Sequence, residues 1–188
     1  MLILGPQGAG KGTQAKRIAE EYEIPHIATG DLYRAAAASG TDLGKVVGPL
    51  LNEGKLVPDE ITIPLIREEV LKAANGFVLD GYPRNIAQAE ALDELLEEID
   101  RQLSIVLLLH LDDAIARERL TKRGELEGRA DDRPDAIDRR LSDYHAQTEQ
   151  VVDHYRMSGN LVQIHAERPI EQVWSEISDA LEHVKARA

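Results

Sequence analysis

The chain has 188 residues, 43% of them hydrophobic and 30% charged, and its formal net charge is −12. This length suits one well-buried domain, and the acidic surplus disfavours nucleic acids and anionic membranes as non-specific partners. Cysteine is absent, which excludes disulfide bonds and a structural zinc held by thiolates. The composition, the lack of a basic secretory signal and the shortness of the longest apolar run favour a cytoplasmic protein that does not span a membrane.

Short apolar runs alternate with amphipathic segments along the chain. The predicted strands are Leu2–Leu4, His26–Ala28, Phe77–Leu79, Ile105–Leu111 and Leu161–His165. The predicted helices are Thr13–Tyr22, Asp31–Ser39, Glu60–Ala73, Ile86–Ile99, Asp113–Lys122, Pro134–Ser158 and Pro169–Val184. Strands separated by helices predict an α/β fold, in which a five-stranded parallel sheet is covered by helices on both faces. Ligands of such folds bind beyond the carboxyl ends of the strands.

Two segments fit this alternation poorly. Gly30–Asp59 has helical patterns without a strand, and Gly124–Arg133 is polar and contains glycine. Both are predicted to be insertions that could move against the sheet.

The stretch LILGPQGAGKGTQ leads from the first strand into the first helix. Its glycines let the backbone curl, so that successive amides and the helix N-terminus form a nest for phosphates. Lys11 adds a positive charge for the outer phosphates. The general phosphate-loop pattern has Ser or Thr directly after this lysine, whereas here Gly12 follows and the hydroxyl lies on Thr13. Thr13 or water must therefore take the place of the usual hydroxyl in binding magnesium.

The stretch FVLDGYPR places Asp80 at the carboxyl end of a buried strand, where a carboxylate suits the water shell of Mg²⁺. Gly81 permits close approach of the backbone, and Arg84 can direct its forked donors at a phosphate. Gln88 lies one helical turn further, and its amide can pair with an adenine edge or be an ordinary surface group.

In the stretch TGDLYR, Thr29 can bond to a base and Arg34 can reach a phosphate. Helix capping alone is the competing interpretation for Thr29 and for Asp31.

Arginines are concentrated in one span of this acidic chain, at Arg117, Arg119, Arg123, Arg129, Arg133, Arg139 and Arg140. A salt-bridged, solvated helix face is the competing interpretation, and we favour it for Arg117, Arg133 and Arg139. The pairs Asp112–Asp113 and Asp131–Asp132 are predicted to be helix caps or salt-bridge partners.

Seven motifs together resemble the adenylate kinases and related nucleoside monophosphate kinases. They are GPQGAGKGTQ, ATGDLYR, GKLVPDE, GFVLDGYPRNIAQAEALDE, ERLTKR, GRADDRPDAIDRRLSDY and AERPI, in family order over essentially the whole chain. Gln7 departs from the pattern, because family members usually carry proline there. The short GELEG segment between Arg123 and Arg129 is similar to the short lid of the family.

The resemblance implies a three-layer P-loop kinase core spanning residues 1–188, an insertion that binds the nucleoside monophosphate at residues 29–58, and a short lid at residues 123–133. It implies reversible, Mg²⁺-dependent transfer of the γ-phosphoryl group of ATP to AMP, giving two ADP, by a monomer. A UMP/CMP kinase and a non-catalytic ATP-binding regulatory module remain the alternatives. Thr29 and Gln88 favour AMP, because UMP/CMP kinases tend to carry Ala and Asn at these positions.

The resemblance also assigns site residues. Those for ATP are Gly8, Ala9, Gly10, Lys11, Gly12, Thr13, Arg119, Arg123, Ala166 and Arg168. Those for AMP are Thr29, Arg34, Lys55, Leu56, Val57, Gly81, Arg84, Gln88, Arg129 and Arg140. The catalytic set is Lys11, Arg84, Arg123, Arg129 and Arg140, and Mg²⁺ is held through phosphates and water, with Thr13 and Asp80 as supports.

Overall fold

A computed structural model describes residues 1–186 and contains the predicted parallel sheet. Its strands are β1 (Leu2–Leu4), β2 (His26–Ala28), β3 (Val78–Asp80), β4 (Val106–His110) and β5 (Leu161–His165). They pair in the order β2-β3-β1-β4-β5, and every pairing is parallel. The α/β class and the predicted strands are confirmed. β3 lies one residue later than predicted, and β4 is one residue shorter at each end.

Helices connect these strands and follow the predicted segments closely. They are α1 (Lys11–Tyr22), α2 (Thr29–Ser39), α3 (Asp42–Asn52), α4 (Asp59–Lys72), α5 (Ile86–Glu98), α6 (Asp113–Glu127), α7 (Pro134–Asp143), α8 (Glu149–Met157) and α9 (Ile170–Lys185). A π-helical turn at Tyr144–Thr148 divides the predicted helix Pro134–Ser158 into α7 and α8. Within residues 1–186, no helix is both long enough and apolar enough to cross a bilayer.

The predicted end of the helix Asp113–Lys122 is wrong. Helix α6 continues to Glu127, because Gly124–Glu127 is rich in good helix formers. It ends at Gly128, which adopts a left-handed conformation with φ 65°. A short 3₁₀ turn at Ala130–Asp132 then leads into α7.

The alternation of side chains along each strand divides the core into two layers. Leu2 and Leu4 of β1 face one layer, which contains apolar residues of α4, α5 and α8. Ile3 faces the other layer, which α1, α6, α7 and α9 complete. The sheet is therefore buried on both faces, as its apolar strands predict.

Helices α2 and α3 form the segment that the alternation did not explain, and they pack around a small third core that also contains Ile61 and Leu65 of α4. Tyr33, Val47 and Val57 are buried there. The two helices approach closely at Gly44, where an added Cβ would lie 2.1 Å from the carbonyl oxygen of Ala36. This third core attaches the segment to α4 beside the carboxyl ends of the strands.

Strand β4, which pairs with the central strand β1, leads to a prediction about stability. Leu107 is 0% exposed, so Leu107→Ala should leave a cavity and lower the free energy of unfolding by about 2–5 kcal/mol. Leu126→Ala is the matched control, because Leu126 is 77% exposed and its truncation should change stability by less than about 0.5 kcal/mol. Urea unfolding of both variants measures the difference, and equal effects would contradict the assigned core.

Candidate active site

A cleft of about 580 Å³ opens at the carboxyl ends of β2, β3 and β1. The loop after β1, the start of α2, the end of β3 and the arginines of α6 and α7 line it. This is the position at which open parallel sheets bind ligands.

The loop between β1 and α1 depends on its glycines. Gly5 has φ 138°, and a Cβ there would lie 2.4 Å from the carbonyl oxygen of Leu109. Gly8 has φ 84° and packs similarly against Ala116. Gly10 precedes α1, which has no side-chain cap, so the amides of its first turn are left for an anion.

Lys11 lies inside this curled loop. Its Nζ donates to the carbonyl oxygens of Gly5 and Pro6, both at 2.8 Å. Burial, together with the charges of Arg84, Arg140 and Arg123, lowers the pKa of Lys11 to about 8, and the charge of Asp80 opposes this shift. A phosphate beside the ammonium group would relieve this cost of burial.

Three arginines at the lid side of the cleft are held by two aspartates. Arg123 makes a bidentate pair with Asp132, at 2.6 and 2.7 Å, and the Asp132 side chain is fully buried. Arg140 donates to the same carboxylate at 3.0 Å. Arg129 makes a second bidentate pair with Asp131, at 3.0 and 2.8 Å. The prediction that Asp131 and Asp132 are salt-bridge partners is confirmed.

Burial and neighbouring charges set the pKa values of the groups in this network. Burial by itself raises the pKa of Asp131, but the hydrogen bonds from Arg129 and the charges of Arg140 and Arg123 outweigh burial and lower the pKa to about 2. Burial also lowers the pKa of Arg140 to about 10, although the aspartates oppose the shift. Arg129 and Arg140 therefore remain cationic at neutral pH, and both line the cleft.

The opposite wall contains Arg84 and Thr29. Arg84 donates from Nε to the carbonyl oxygen of Gly81 at 2.7 Å, and the buried Thr29 hydroxyl donates to the same oxygen at 2.9 Å. Thr148, which sequence reasoning missed, donates to the carbonyl oxygen of Arg84 at 2.9 Å. No pattern in the sequence indicates this contact, because Thr148 lies at the end of the π-helical turn, 64 residues along the chain from Arg84.

The start of α2 corrects one expectation. Helix α2 begins at Thr29 with Ala28 as its N-cap, so Asp31 lies in the first turn and is not the cap. Asp31 instead accepts from Arg34 at 2.6 Å, and Arg34 lines the cleft. Lys55 lies across from it, paired with Glu53 at 2.6 Å.

Gln88 does not line the main cleft. It lies in a small adjoining pocket with Leu56 and Val57. There it bonds to Asp59, a residue that sequence reasoning missed although it lies in the GKLVPDE motif.

Other assigned residues contribute through their backbone or lie at the edge. Arg119 donates to the carbonyl oxygen of Ala166 at 2.8 Å and lines the cleft. Ala9 and Ala166 have side chains in the core, which leaves only their backbone groups for a ligand. Arg168 is half-exposed and lies near Glu176, outside the lining of the cleft.

The three arginines expected on a salt-bridged surface differ from one another. Arg117 pairs with Asp138, as expected. Arg133 is exposed and pairs with Asp135 at 3.8 Å, also as expected, and it donates to the carbonyl oxygen of Asn52 at 3.3 Å. Arg139 instead donates to the carbonyl oxygen of Glu53 at 2.7 Å. These bonds connect the end of α3 to α7. The expectation for Asp112 is confirmed, since it caps α6 through the amide of Ala114.

The cleft also contains residues that suit a hard cation bound with phosphates. Thr13 and Asp80 both line it, and the Asp80 carboxylate would lie 3.5 Å from a Cβ on Gly12. Residues 1–186 contain no group of three or more His, Asp or Glu side chains that could hold a metal ion. Mg²⁺ commonly needs no such group, because it binds through one carboxylate together with water and substrate phosphates.

The fold and the curled lysine loop define a phosphate-binding protein of the P-loop class. The family model described as adenylate kinase matches residues 3–160. The chain is 47% identical to an adenylate kinase of Hyphomonas neptunium, with 96% of this chain and 97% of that protein covered. It is 44% identical to an adenylate kinase of a Synechococcus strain, with 96% and 97% covered, and 38% identical to one of Archaeoglobus fulgidus, with 99% of each covered. The chain belongs to the adenylate kinase family.

The lowered pKa of Asp131 generates a prediction about acid stability. Because its pKa of about 2 lies below the ordinary 3.8, the ionised group stabilises the fold above pH 4 by about 2 kcal/mol, and this contribution is lost as the pH falls towards 2. Asp131→Asn should therefore be less stable than the parent at pH 7, and the difference should shrink in acid.

Asp135→Asn is the matched control, since its side chain is 65% exposed. Urea unfolding between pH 2 and 7 measures all three proteins. A stability difference for Asp131→Asn that does not depend on pH would contradict the assigned ion pair.

Proposed function

We propose that the protein transfers the γ-phosphoryl group of ATP to AMP, reversibly, giving two ADP. The observation that carries this proposal is the convergence of Lys11, Arg84, Arg123, Arg129 and Arg140 around one cleft. A protein that only bound ATP would need no cations on the far wall of the cleft. The relatives described as adenylate kinases support the same reaction.

Electrostatics explain why these cations suit phosphoryl transfer. Two polyanions must be brought into contact, and their repulsion must be screened while charge spreads over the transferred group. The acceptor oxygen of AMP is already anionic, so no general base is required. Catalysis then rests on positioning and on cations fixed in a site of low dielectric.

On the ATP side, the loop Gly8–Thr13 cradles the phosphates and Lys11 contacts the outer ones. Arg119 stacks on the adenine, with backbone groups of Ala166 and the nearby Arg168 beside it. Arg123 faces the ATP phosphates. The position of Arg119 between the loop and Ala166 supports this assignment.

On the AMP side, Arg34 and Arg84 contact the phosphate, and Lys55 lies at the same wall. Thr29, Leu56, Val57, Gly81 and Gln88 surround the adenine. Arg129 and Arg140 bridge the two phosphate chains. Arg129 and Arg140 both line the cleft, and their pairing with Asp131 and Asp132 holds the two guanidinium groups in place there, which supports this assignment.

Mg²⁺ is the proposed cofactor, bound through nucleotide phosphates and water, with Asp80 and Thr13 as supports. When bound, the ion neutralises phosphate charge and orients the phosphate oxygens. The Asp80 carboxylate beside the lysine loop fits such an ion.

Two segments are proposed to close over the substrates. Residues 29–58 would cover AMP, and residues 123–133 would cover ATP, which excludes water from the γ-phosphate. The close packing of α2 against α3 at Gly44 supports movement of the first segment as a unit. We also propose a cytoplasmic monomer without nucleic-acid or membrane partners, in keeping with the acidic, cysteine-free composition.

A phosphotransfer assay tests the function and its alternatives. ATP and Mg²⁺ are supplied with AMP, CMP, UMP or GMP, one at a time, beside a water-only control. ADP formed efficiently with AMP alone supports the proposal. Preferred turnover of CMP or UMP would assign the protein to the pyrimidine kinases, and ATP binding without any transfer would assign it to regulatory modules.

The most specific mutational prediction concerns Lys11. Lys11→Met keeps the length of the side chain but removes the charge, and should lower kcat by at least about 10³-fold. Lys72→Met is the control, because Lys72 lies on the surface of α4 and pairs only with neighbouring glutamates there. Near-normal turnover by Lys11→Met would contradict the role of the loop.

A further inference from the structure

The amide of Gln88 is bound at both ends inside the protein. Its Oε1 accepts from the backbone amide of Arg84 at 2.8 Å, and its Nε2 donates to Asp59 at 2.6 Å. Gln88 is only 3% exposed. This glutamine is therefore held in one place before any ligand binds.

Asp59 is itself anchored from a second direction. The side-chain amide of Asn85 donates to both of its carboxylate oxygens, at 3.0 and 3.2 Å. Asn85 also caps α5 by accepting from the backbone amide of Gln88 at 2.9 Å. Asp59 begins α4. The three side chains thus form a closed set that joins the starts of two helices.

The chemistry of the two neighbours decides which end of the Gln88 amide is the oxygen. A backbone N–H can only donate, so the end facing Arg84 must be the carbonyl. An ionised carboxylate can only accept, so the end facing Asp59 must be the NH₂ group. A flipped amide would place donor against donor and acceptor against acceptor. Each end keeps one unused capacity, a lone pair on Oε1 and one hydrogen on Nε2.

The Gln88 amide lines a small pocket of about 10 Å³, which must widen before a base can lie against it. Its walls include Leu56 and Val57, which are apolar. Its two hydroxyls, on Tyr33 and Thr62, bond to each other at 2.6 Å. The remaining polar groups of the pocket belong to Arg84 and to the backbone of Gly81. A guanidinium group can only donate, so the fixed acceptor and donor of Gln88 are the side-chain pair that can match both groups of a base edge.

We propose that Asp59 is a positioning residue that sets base specificity by fixing the orientation of the Gln88 amide. Adenine presents a donor at N6 beside an acceptor at N1, which matches this acceptor–donor pair. Hypoxanthine has nearly the same shape but presents an acceptor at O6 beside a donor at N1, so it is rejected. This inference rests on the proposed transfer to AMP and adds the residue that orients the base reader.

The test compares AMP with IMP as acceptors, because the two differ mainly in this donor–acceptor pattern. Asp59→Asn replaces one of the two groups that fix the amide, because the new side-chain amide can also donate to a flipped Gln88. Only the backbone amide of Arg84 then opposes the flipped orientation. The ratio of kcat/KM for AMP over IMP should fall about tenfold, which lies in the lower part of the range for one bidentate base contact. The loss should lie mainly in KM for AMP, with kcat little changed.

Glu60→Gln is the matched control. Glu60 lies next to Asp59 in the first turn of α4 and is exposed, so the variant removes the same charge from the same helix end. It should keep the parent ratio. An equal fall in both variants, or an unchanged ratio in folded Asp59→Asn, would overturn the proposal.

A second variant keeps the test decisive if Asp59→Asn does not fold. Asn85→Ser keeps a capping oxygen for α5 but removes the amide that anchors Asp59. It should lower the ratio in the same direction, and an unchanged ratio would count against the proposal. If the parent protein transfers nothing to AMP, the proposed function fails instead, before the variants are compared.

Discussion

The structure depends on the confinement of several cations in one partly buried cleft. Lys11, Arg84, Arg123 and Arg140 lie close enough for the arginines to lower the pKa of the lysine. Such a cluster is unfavourable unless anions face it, and Asp80, Asp131 and Asp132 provide part of that balance. The remaining positive potential is what a pair of polyphosphates would neutralise. The same charged groups therefore affect both the stability of the fold and the binding of substrate.

The topology explains how distant parts of the chain meet there. Parallel pairing places the carboxyl ends of β1, β2 and β3 side by side, so the lysine loop, Thr29 and Asp80 come together. Helices α6 and α7 then bring their arginines over this edge. The bonds from Arg133 and Arg139 to the end of α3 connect the lid side to the AMP side. When the two proposed insertions move, the bonds from Arg133 and Arg139 to the end of α3 must either break or move with them.

Much of this arrangement could be predicted from the sequence, because strand alternation and the glycine-rich loop are local patterns. The strand bounds were nearly correct for that reason. The extension of α6 to Glu127 was missed because glycine at position 124 suggested a break, whereas the helix ends at Gly128. Asp59 and Thr148 were missed because their partners, Gln88 and Arg84, lie 29 and 64 residues away. Contacts between separate helix starts leave no periodic signal.

The most direct test of the central claim is calorimetric titration with a ligand that joins two adenosines through five phosphates. If one cleft holds both phosphate chains end to end, this ligand should bind one per chain, with a Kd at least about 100-fold below that of ATP. Added salt should weaken its binding more than that of AMP, because more charges are engaged. Binding of two such ligands per chain, or binding no tighter than ATP, would contradict a shared cleft for donor and acceptor.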